Sequence, residues 1–363
     1  MSTAIPVPVS ILTGFLGAGK TTLLNDLLKH PEMNDTAVII NEFGDVGIDH
    51  LLVETADDNV FEMASGCLCC TIRGDLVDTL CDLMARRQKG TIKTFNKVVI
   101  ETTGLADPAP VLHTIMNHPV LLEHYRLEGV ITVVDTVNGS ATLDVHEEAV
   151  KQVAVADRLV LTKADLLVGK QGEEKLFAII ARLKKLNRAA RMLEVTTGEA
   201  TPQNLFNTGI YDPETKTANV ARWLAADAYD NTGHNHGHDP NRHDDHIESF
   251  SITSDKAISQ WNLDLFLELL RGYHGPNLLR VKGIIKLEED LQKPLVIHGV
   301  QHIFHPPFQL DKWPDDDHRS RMVFITRDIK KAQLEDLFKA FTDPVRGGAE
   351  AFRDDTLSLR GND

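Results

Sequence analysis

The sequence predicts an α/β chain: a doubly wound, mostly parallel sheet, followed by a smaller α+β domain. Three observations carry that prediction. Over residues 9–196, short runs rich in Val, Ile and Leu alternate with segments of helical apolar periodicity. The first of these runs breaks into a glycine-rich turn of the phosphate-binding type. Beyond an Asp- and His-rich stretch the pattern changes to strand, helix, three strands and helix, an order that suggests a ferredoxin-like sandwich.

In chain order, Val9 to Leu12 reads as a buried strand and Thr22 to Leu28 as a helix with Leu23, Leu24, Leu27 and Leu28 on one side. Between them Gly14 to Thr21 fits G-x-x-x-x-G-K-[ST]. Gly14, Gly17 and Gly19, with the small Ala18, let backbone N–H groups turn inward around a phosphate. The helix start at Thr21-Thr22 adds partial positive charge. Lys20 is placed to reach the outer phosphates, and the Thr21 hydroxyl to hold Mg²⁺.

Ala37 to Asn41 reads as the second strand, running into a loop that begins Asn41-Glu42-Phe43-Gly44. A short strand from Val60 to Met63 leads into Ser65-Gly66-Cys67-Leu68-Cys69-Cys70, and Ile72 to Arg87 reads as a helix. Lys97 to Glu101, Val130 to Asp135, Arg158 to Thr162 and Leu193 to Thr196 read as further strands, with a helix at Glu173 to Leu186. In a doubly wound sheet the loops at the C-terminal strand ends carry the ligands, and every motif named here lies at such an end. Glu101, followed by Thr102-Thr103-Gly104, is a carboxylate placed to orient an attacking water or a water on Mg²⁺, and the Gly104 N–H to sense a γ-phosphate. Asp135 is open to two readings, a Mg²⁺-shell acid or a loop cap. Thr162-Lys163-Ala164-Asp165 resembles the Asn-Lys-x-Asp base-recognition motif, with Thr162 in place of Asn. An Asp carboxylate accepts two hydrogen bonds, which suits the paired donors of guanine.

Composition narrows the classes. A chain of 363 residues with 42% hydrophobic content suits two domains with proper cores. The expected division is 1–226 for the nucleotide domain, 227–246 for a His/Asp-rich linker, 247–345 for the second domain and 346–363 for a loose tail. A net charge of −15 argues against nucleic acid and against a polybasic membrane contact as partners. No apolar stretch is long enough to span a bilayer, and the start lacks a leader pattern, so the expected location is cytoplasmic.

Of four cysteines, Cys67, Cys69 and Cys70 cluster. Thiolates are soft ligands that favour Zn²⁺ and similar ions. With no second paired knuckle, the remaining ligand position is open or borrowed; Glu42 and a linker histidine are the candidates. Buried small side chains or a thiol–disulfide switch are the other readings. Cys81, on an apolar helix stripe, reads as packing. His234, His236, His238, His243 and His246 sit among carboxylates in the linker. They suit weak metal capture, or else form a solvated tether. In the second domain Trp261 and Trp313 read as core, and a helix from Trp261 to Tyr273 should turn Leu263, Phe266, Leu267, Leu270 and Tyr273 inward. His298 and His302 should share a strand face that is exposed or turned to a partner, with His305 near it; a metal site is the other reading.

Together these stretches resemble the CobW-type GTPases, a metallochaperone-like branch of the phosphate-loop GTPases. The resemblance rests on Gly14 to Thr22, Asn41-Glu42-Phe43-Gly44, Gly66-Cys67-Leu68-Cys69-Cys70, Glu101 to Pro108 and Thr162-Lys163-Ala164-Asp165. It extends to Arg280-Val281-Lys282-Gly283 and Gly299-Val300-Gln301 in the second domain. It implies GTP hydrolysis coupled to delivery of Zn²⁺ or Co²⁺ to a client metalloprotein or a metal-cofactor assembly enzyme. By position, Cys67, Cys69 and Cys70 would be the metal ligands, with Glu42 nearby. Gly17 through Thr22 would hold phosphates and Mg²⁺, Glu101 the water and Asp165 the base. A second copy of the chain is a further candidate partner. Two rival readings are a zinc sensor or store regulated by nucleotide, and an ATP-using enzyme with a structural thiol cluster.

Overall fold

The structure is a computed structural model that describes residues 6–40, 60–62, 71–206, 224 and 246–343. Glu42, Cys67, Cys69, Cys70, His234, His236, His238 and His243 lie outside the described residues.

The first domain runs β1 (Val7–Gly14), α1 (Lys20–Leu28), β2 (Thr36–Ile40), β3 (Val60–Glu62), α2 (Thr71–Lys89) and β4 (Lys97–Glu101). It continues with α3 (Ala109–Asn117), α4 (Pro119–His124), β5 (Tyr125–Asp135), α5 (Gly139–Val145), α6 (Glu147–Ala154) and β6 (Arg158–Thr162). Then come α7 (Gly169–Leu186), β7 (Arg191–Glu194) and α8 (Pro202–Leu205). Its seven strands form one sheet in the order β3-β2-β4-β1-β5-β6-β7, and every pairing is parallel. Parallel strands are covered by helices on both faces, which is why β2 is buried along its whole length. On one face Val9 and Ile11 join Leu76 and Leu80 of α2 and Leu112 and Ile115 of α3. On the other, Leu12 joins Leu23, Leu24 and Leu27 of α1.

The sequence order reverses at β1, which lies between β4 and β5. Ligand crevices open at such a switch point. The register does the rest: Leu12 pairs with Glu101, Gly14 with Val133, and Asp135 with Thr162. The ends of β1, β4, β5 and β6 therefore meet at one edge.

The second domain runs β8 (Ile247–Ser254), α9 (Gln260–Leu269), β9 (Leu278–Ile285), β10 (Leu295–Val300), β11 (Ile303–Phe304), β12 (Phe308–Gln309), β13 (Ser320–Arg327) and α10 (Lys331–Thr342). Its antiparallel sheet has the order β11-β10-β9-β13-β8, with β12 on β10. β13 inserts between β8 and β9, giving the split β-α-β of a ferredoxin-like α+β domain; the second helix follows the last strand. Phe266, Leu267, Phe324 and Phe338 centre its core. The face of β9 away from the helices carries Arg280 and Lys282 toward Asp157 of the first domain.

Three expectations for this domain are corrected. Trp313 is core, with Nε1 donating to the Leu291 carbonyl at 2.8 Å, but Trp261 is 77% exposed. It precedes the inward stripe of α9 by two residues, about 200° around the helix. Tyr273 is also exposed, because α9 passes into a π-helical turn over Leu270–His274 that shifts the later side chains out of phase. His298 and His302 do not share a strand face: β10 ends at Val300, and Gln301, at φ 53°, turns the chain before His302. His302 instead meets His113 edge-on, with ring centroids 4.9 Å apart.

Candidate functional site

The loop from Gly14 to Lys20 is shaped by close approach. Gly14, at φ 144°, lies so near β5 that a Cβ would fall 2.4 Å from the Val133 carbonyl oxygen, so no other residue fits. Gly19 is the N-cap of α1, at φ 94°, and no side chain caps that helix. The first N–H groups of α1 therefore have no N-cap side chain across them, the arrangement that receives an anion. Lys20 is buried, and its ammonium donates to the carbonyls of Gly14 at 2.9 Å and Phe15 at 3.3 Å. Those neutral acceptors hold it at the loop mouth, where a phosphate oxygen would be a stronger partner.

Thr21 and Glu101 are brought together. The Thr21 hydroxyl donates to Glu101 Oε1 at 2.9 Å, joining α1 to the end of β4. Thr102 follows, its N–H donating to the Leu12 carbonyl at 2.9 Å and its hydroxyl to Thr13 Oγ1 at 2.8 Å. The Thr103 hydroxyl is buried and has no partner among the described residues. Gly104 then passes directly against the phosphate loop: a Cβ there would sit 2.6 Å from the Leu16 nitrogen. The loop after β4 is thus in contact with the loop after β1, and any side chain at Gly104 would separate them.

The end of β6 ties in from the other side. Thr162 Oγ1 lies 2.7 Å from the Ala18 carbonyl and 3.2 Å from that of Val134. The residue that replaces Asn in the base motif thus buttresses the phosphate loop. Lys163, at φ 62°, donates to the Gly17 carbonyl at 2.7 Å and to Asp135 Oδ2 at 2.8 Å. Asp165 is exposed, on a single turn after Lys163. Thr22 lies one residue further into α1 than Thr21.

Asp135 is the loop cap of the two readings. Its carboxylate accepts from the N–H groups of Val137 and Asn138, the Asn138 amide and Lys163. Partial burial works to raise its pKa, but those donors outweigh it and hold it below the usual carboxylate range. A cavity of about 290 Å³ lies on this side, between Phe15–Ala18, the end of β5 and helices α5 and α6.

Among the described residues no group of three or more His, Cys, Asp or Glu side chains could hold a metal. His246 is exposed, with Nδ1 2.8 Å from Asp328 Oδ1. Such a pairing orients the ring and leaves Nε2 as its ligating nitrogen. Cys81 packs against the core, and burial, with Asp78 beside it, pushes its thiol pKa up.

No helix is expected from the sequence between Asp135 and Arg158, so Gln152 is not singled out there. This buried side chain donates to the carbonyls of Gly104 at 3.2 Å and Ala106 at 3.1 Å. Its one signal is a lone Gln on an otherwise apolar helix face, which acquires meaning once α6 is placed beside the loop.

A sheet-switch crevice with a phosphate loop, followed by an antiparallel sheet domain, invites comparison with known proteins. Residues 8–194 match the family profile "CobW/HypB/UreG, nucleotide-binding domain", and residues 247–342 match "Cobalamin synthesis protein cobW C-terminal domain". The chain belongs to the CobW family. It is 34% identical over 336 residues to the zinc chaperone YjiA of Escherichia coli, covering 92% of this chain and 98% of that one. It is 32% identical over 367 residues to the zinc chaperone CobW of Pseudomonas aeruginosa, covering 92% and 91%. The crystal structure of Zn(II)-bound YjiA GTPase from E. coli superposes with a TM-score of 0.68 at 28% identity, covering 94% of this chain and all of that one. The CobW fold, a phosphate-loop GTPase domain followed by the family's C-terminal sheet domain, is the fold expected of the sequence.

Proposed function

We infer that this protein is a GTP-hydrolysing metal carrier that binds Zn²⁺ and passes it to a client metalloprotein or a metal-cofactor assembly enzyme. The observation that carries the reading is the Thr21–Glu101 hydrogen bond, which joins the phosphate loop to the end of β4. Glu101 pairs in register with Ile40 of β2, and Ile40 with Glu62 of β3. Glu42 follows Ile40 by two residues; Cys67 to Cys70 lie between Glu62 and Thr71, the first residue of α2.

The residues divide the work by chemistry. The N–H groups at the start of α1 and the Gly17–Thr22 backbone would receive phosphates, and Lys20 would turn from its carbonyl partners to β/γ-oxygens. Two oxygen donors, the Thr21 hydroxyl and the Glu101 carboxylate, suit a hard cation. They would hold Mg²⁺, which neutralises charge on the phosphates when bound. Glu101 also orients the attacking water, and the Gly104 N–H, held against Leu16, reads the γ-phosphate. Asp165 reads the guanine edge, while Thr162 fixes the loop beneath it. Cys67, Cys69 and Cys70 with Glu42 form the transferred-metal site, which takes Zn²⁺ and, with the same donors, Co²⁺. The linker histidines, His246 included, collect metal weakly. The names of the relatives, zinc chaperones of nearly the same length, support the cargo and the delivery role. Among the described residues no helix is long and apolar enough to cross a membrane.

The test is hydrolysis with nucleotide competition. Wild-type protein should turn over GTP, and excess ATP should compete weakly. Equal competition by ATP would move the assignment to an ATP-using enzyme; zinc binding without turnover would move it to a sensor or store.

A further inference from the structure

Helix α6 carries none of the motifs, yet it touches the loop after β4 and the second domain at once. Gln152, near its C-terminal end, is 1% exposed and holds the carbonyls of Gly104 and Ala106 with one amide nitrogen. Its own carbonyl accepts the Thr132 hydroxyl at 2.7 Å, which anchors that turn of helix to β5. One residue earlier, the Lys151 ammonium reaches Asp107 at 3.3 Å on the same loop and Glu147 at 3.0 Å one turn back. Glu147 in turn accepts from Arg327 Nη1 at 2.6 Å, and Arg327 is the last residue of β13 in the second domain. Just beyond α6, Asp157 is gripped by Arg280 and Lys282 of β9. The second domain therefore holds α6 at both ends, and α6 holds the loop that carries Gly104.

We propose that Gln152 is a positioning residue for GTP hydrolysis, and that the second domain sets its position through Arg327, Glu147 and Lys151. The proposal rests on the GTPase reading above. Gln152 acts through the backbone it holds rather than on nucleotide or water. Its two donated bonds hold the Gly104–Ala106 backbone against Leu16, where the approach is too close for a Cβ at Gly104. Reacting groups displaced by an ångström lose large factors in rate without losing ground-state binding. The chain Asp107–Lys151–Glu147–Arg327 gives the second domain, and any client bound to it, a physical line to that backbone.

The test is the full-length Gln152→Met protein, a side chain of similar size without donors. Its kcat for GTP should fall roughly tenfold or more with little change in KM. Affinities for GDP and for a non-hydrolysable GTP analogue should both hold, because Lys20, Thr21 and Asp165 are untouched. A merely structural role would instead lower thermal stability and weaken both nucleotides alike. Arg327→Met, on the domain side, should lower kcat about threefold in the same sense, with Arg327→Lys restoring most of it. If Gln152→Met fails to fold, Lys151→Met and Arg327→Met carry the test from the partly exposed end of the chain. Wild-type kcat in the folded variants would overturn the proposal while leaving the GTPase reading intact. A wild-type protein with no GTP turnover would remove the GTPase reading itself.

Discussion

Two polar centres of this molecule are built on opposite principles. At the interface between the domains Asp157 is closed in: the Val130 N–H donates at 2.9 Å, Arg280 reaches both oxygens at 2.8 Å, and Lys282 stands at 2.6 Å. Burial works to raise its pKa, but the two cations outweigh it and hold the carboxyl far below the usual range. Burial also pulls the Lys282 ammonium downward, against the opposing pull of Asp157, and drives His298 toward its neutral form. At the nucleotide crevice groups are left wanting: Gly19 gives α1 no side-chain cap, and the Thr103 hydroxyl has no partner among the described residues. The first centre holds two sheets together. The second waits for charge from outside. Substitutions should therefore split cleanly, into stability effects at one and activity effects at the other.

The largest expected effect is at the closed centre. Asp157→Ala leaves Arg280 and Lys282 buried without this counter-charge, and should cost about 3–5 kcal/mol of stability in denaturant unfolding. The pH dependence has a definite sign. The folded pKa lies below the unfolded one, so the unfolded chain binds more protons between them, and stability rises with pH there. The contribution of Asp157 is complete above the ordinary carboxylate pKa and is lost as pH falls below it. The carboxylate's part of the stability gap between wild type and Asp157→Asn should accordingly be constant down to about pH 5 and narrow from there toward about pH 3 and below. A gap that stays constant below about pH 5 would show that the carboxylate charge is not what fastens the interface.

The next effect belongs to the open centre. Lys20→Ala should lower GTP turnover by at least about 100-fold while leaving the unfolding midpoint nearly unchanged. A large loss of stability in that variant, or unchanged turnover, would erase the contrast between the two centres.

A smaller pair sharpens it within the crevice. Asp165→Ala should reduce the preference for GTP over ATP by about 100-fold, since the site then leaves guanine donors unpaired. Thr162→Val should raise KM for both nucleotides about threefold and leave their ratio alone, because its hydroxyl bonds Ala18 and Val134. A change of ratio in Thr162→Val, read in competition assays, would return that residue to base recognition.

The difference between the centres also explains how much of the molecule is legible in its sequence. The phosphate loop is written in local code, glycines at fixed offsets between a strand and a helix, so Gly14 to Thr22 can be placed from the amino-acid order alone. The parallel strands are legible for the same reason, as runs buried on both faces. The boundaries are less so: α7 starts at Gly169 and β7 at Arg191, both ahead of the expected starts at Glu173 and Leu193. The features that stay hidden depend on partners distant in the chain. Gln152 and Gly104 are far apart in sequence, and α5 and α6, at seven and eight residues, are shorter than the stretch over which helical periodicity is read. The Asp157 cluster joins residues more than a hundred positions apart. Trp261 and Tyr273 depart from expectation because composition favours burying an aromatic, whereas the phase of α9 and its π-helical turn decide otherwise.

The central claim is that the nucleotide and metal sites are coupled, and one measurement addresses it most directly. The Zn²⁺ affinity of fully reduced, full-length protein would be determined by competition with a chromophoric chelator, once with a non-hydrolysable GTP analogue and once with GDP. The Cys67→Ser/Cys69→Ser/Cys70→Ser protein serves as the blank for the linker histidines. Coupling free energies are reciprocal and commonly amount to about tenfold in affinity. A difference of that order between the two nucleotide states is expected, absent from the triple-serine protein. Equal affinities in both states would contradict the coupling, and would leave a GTPase whose zinc site answers to something other than nucleotide.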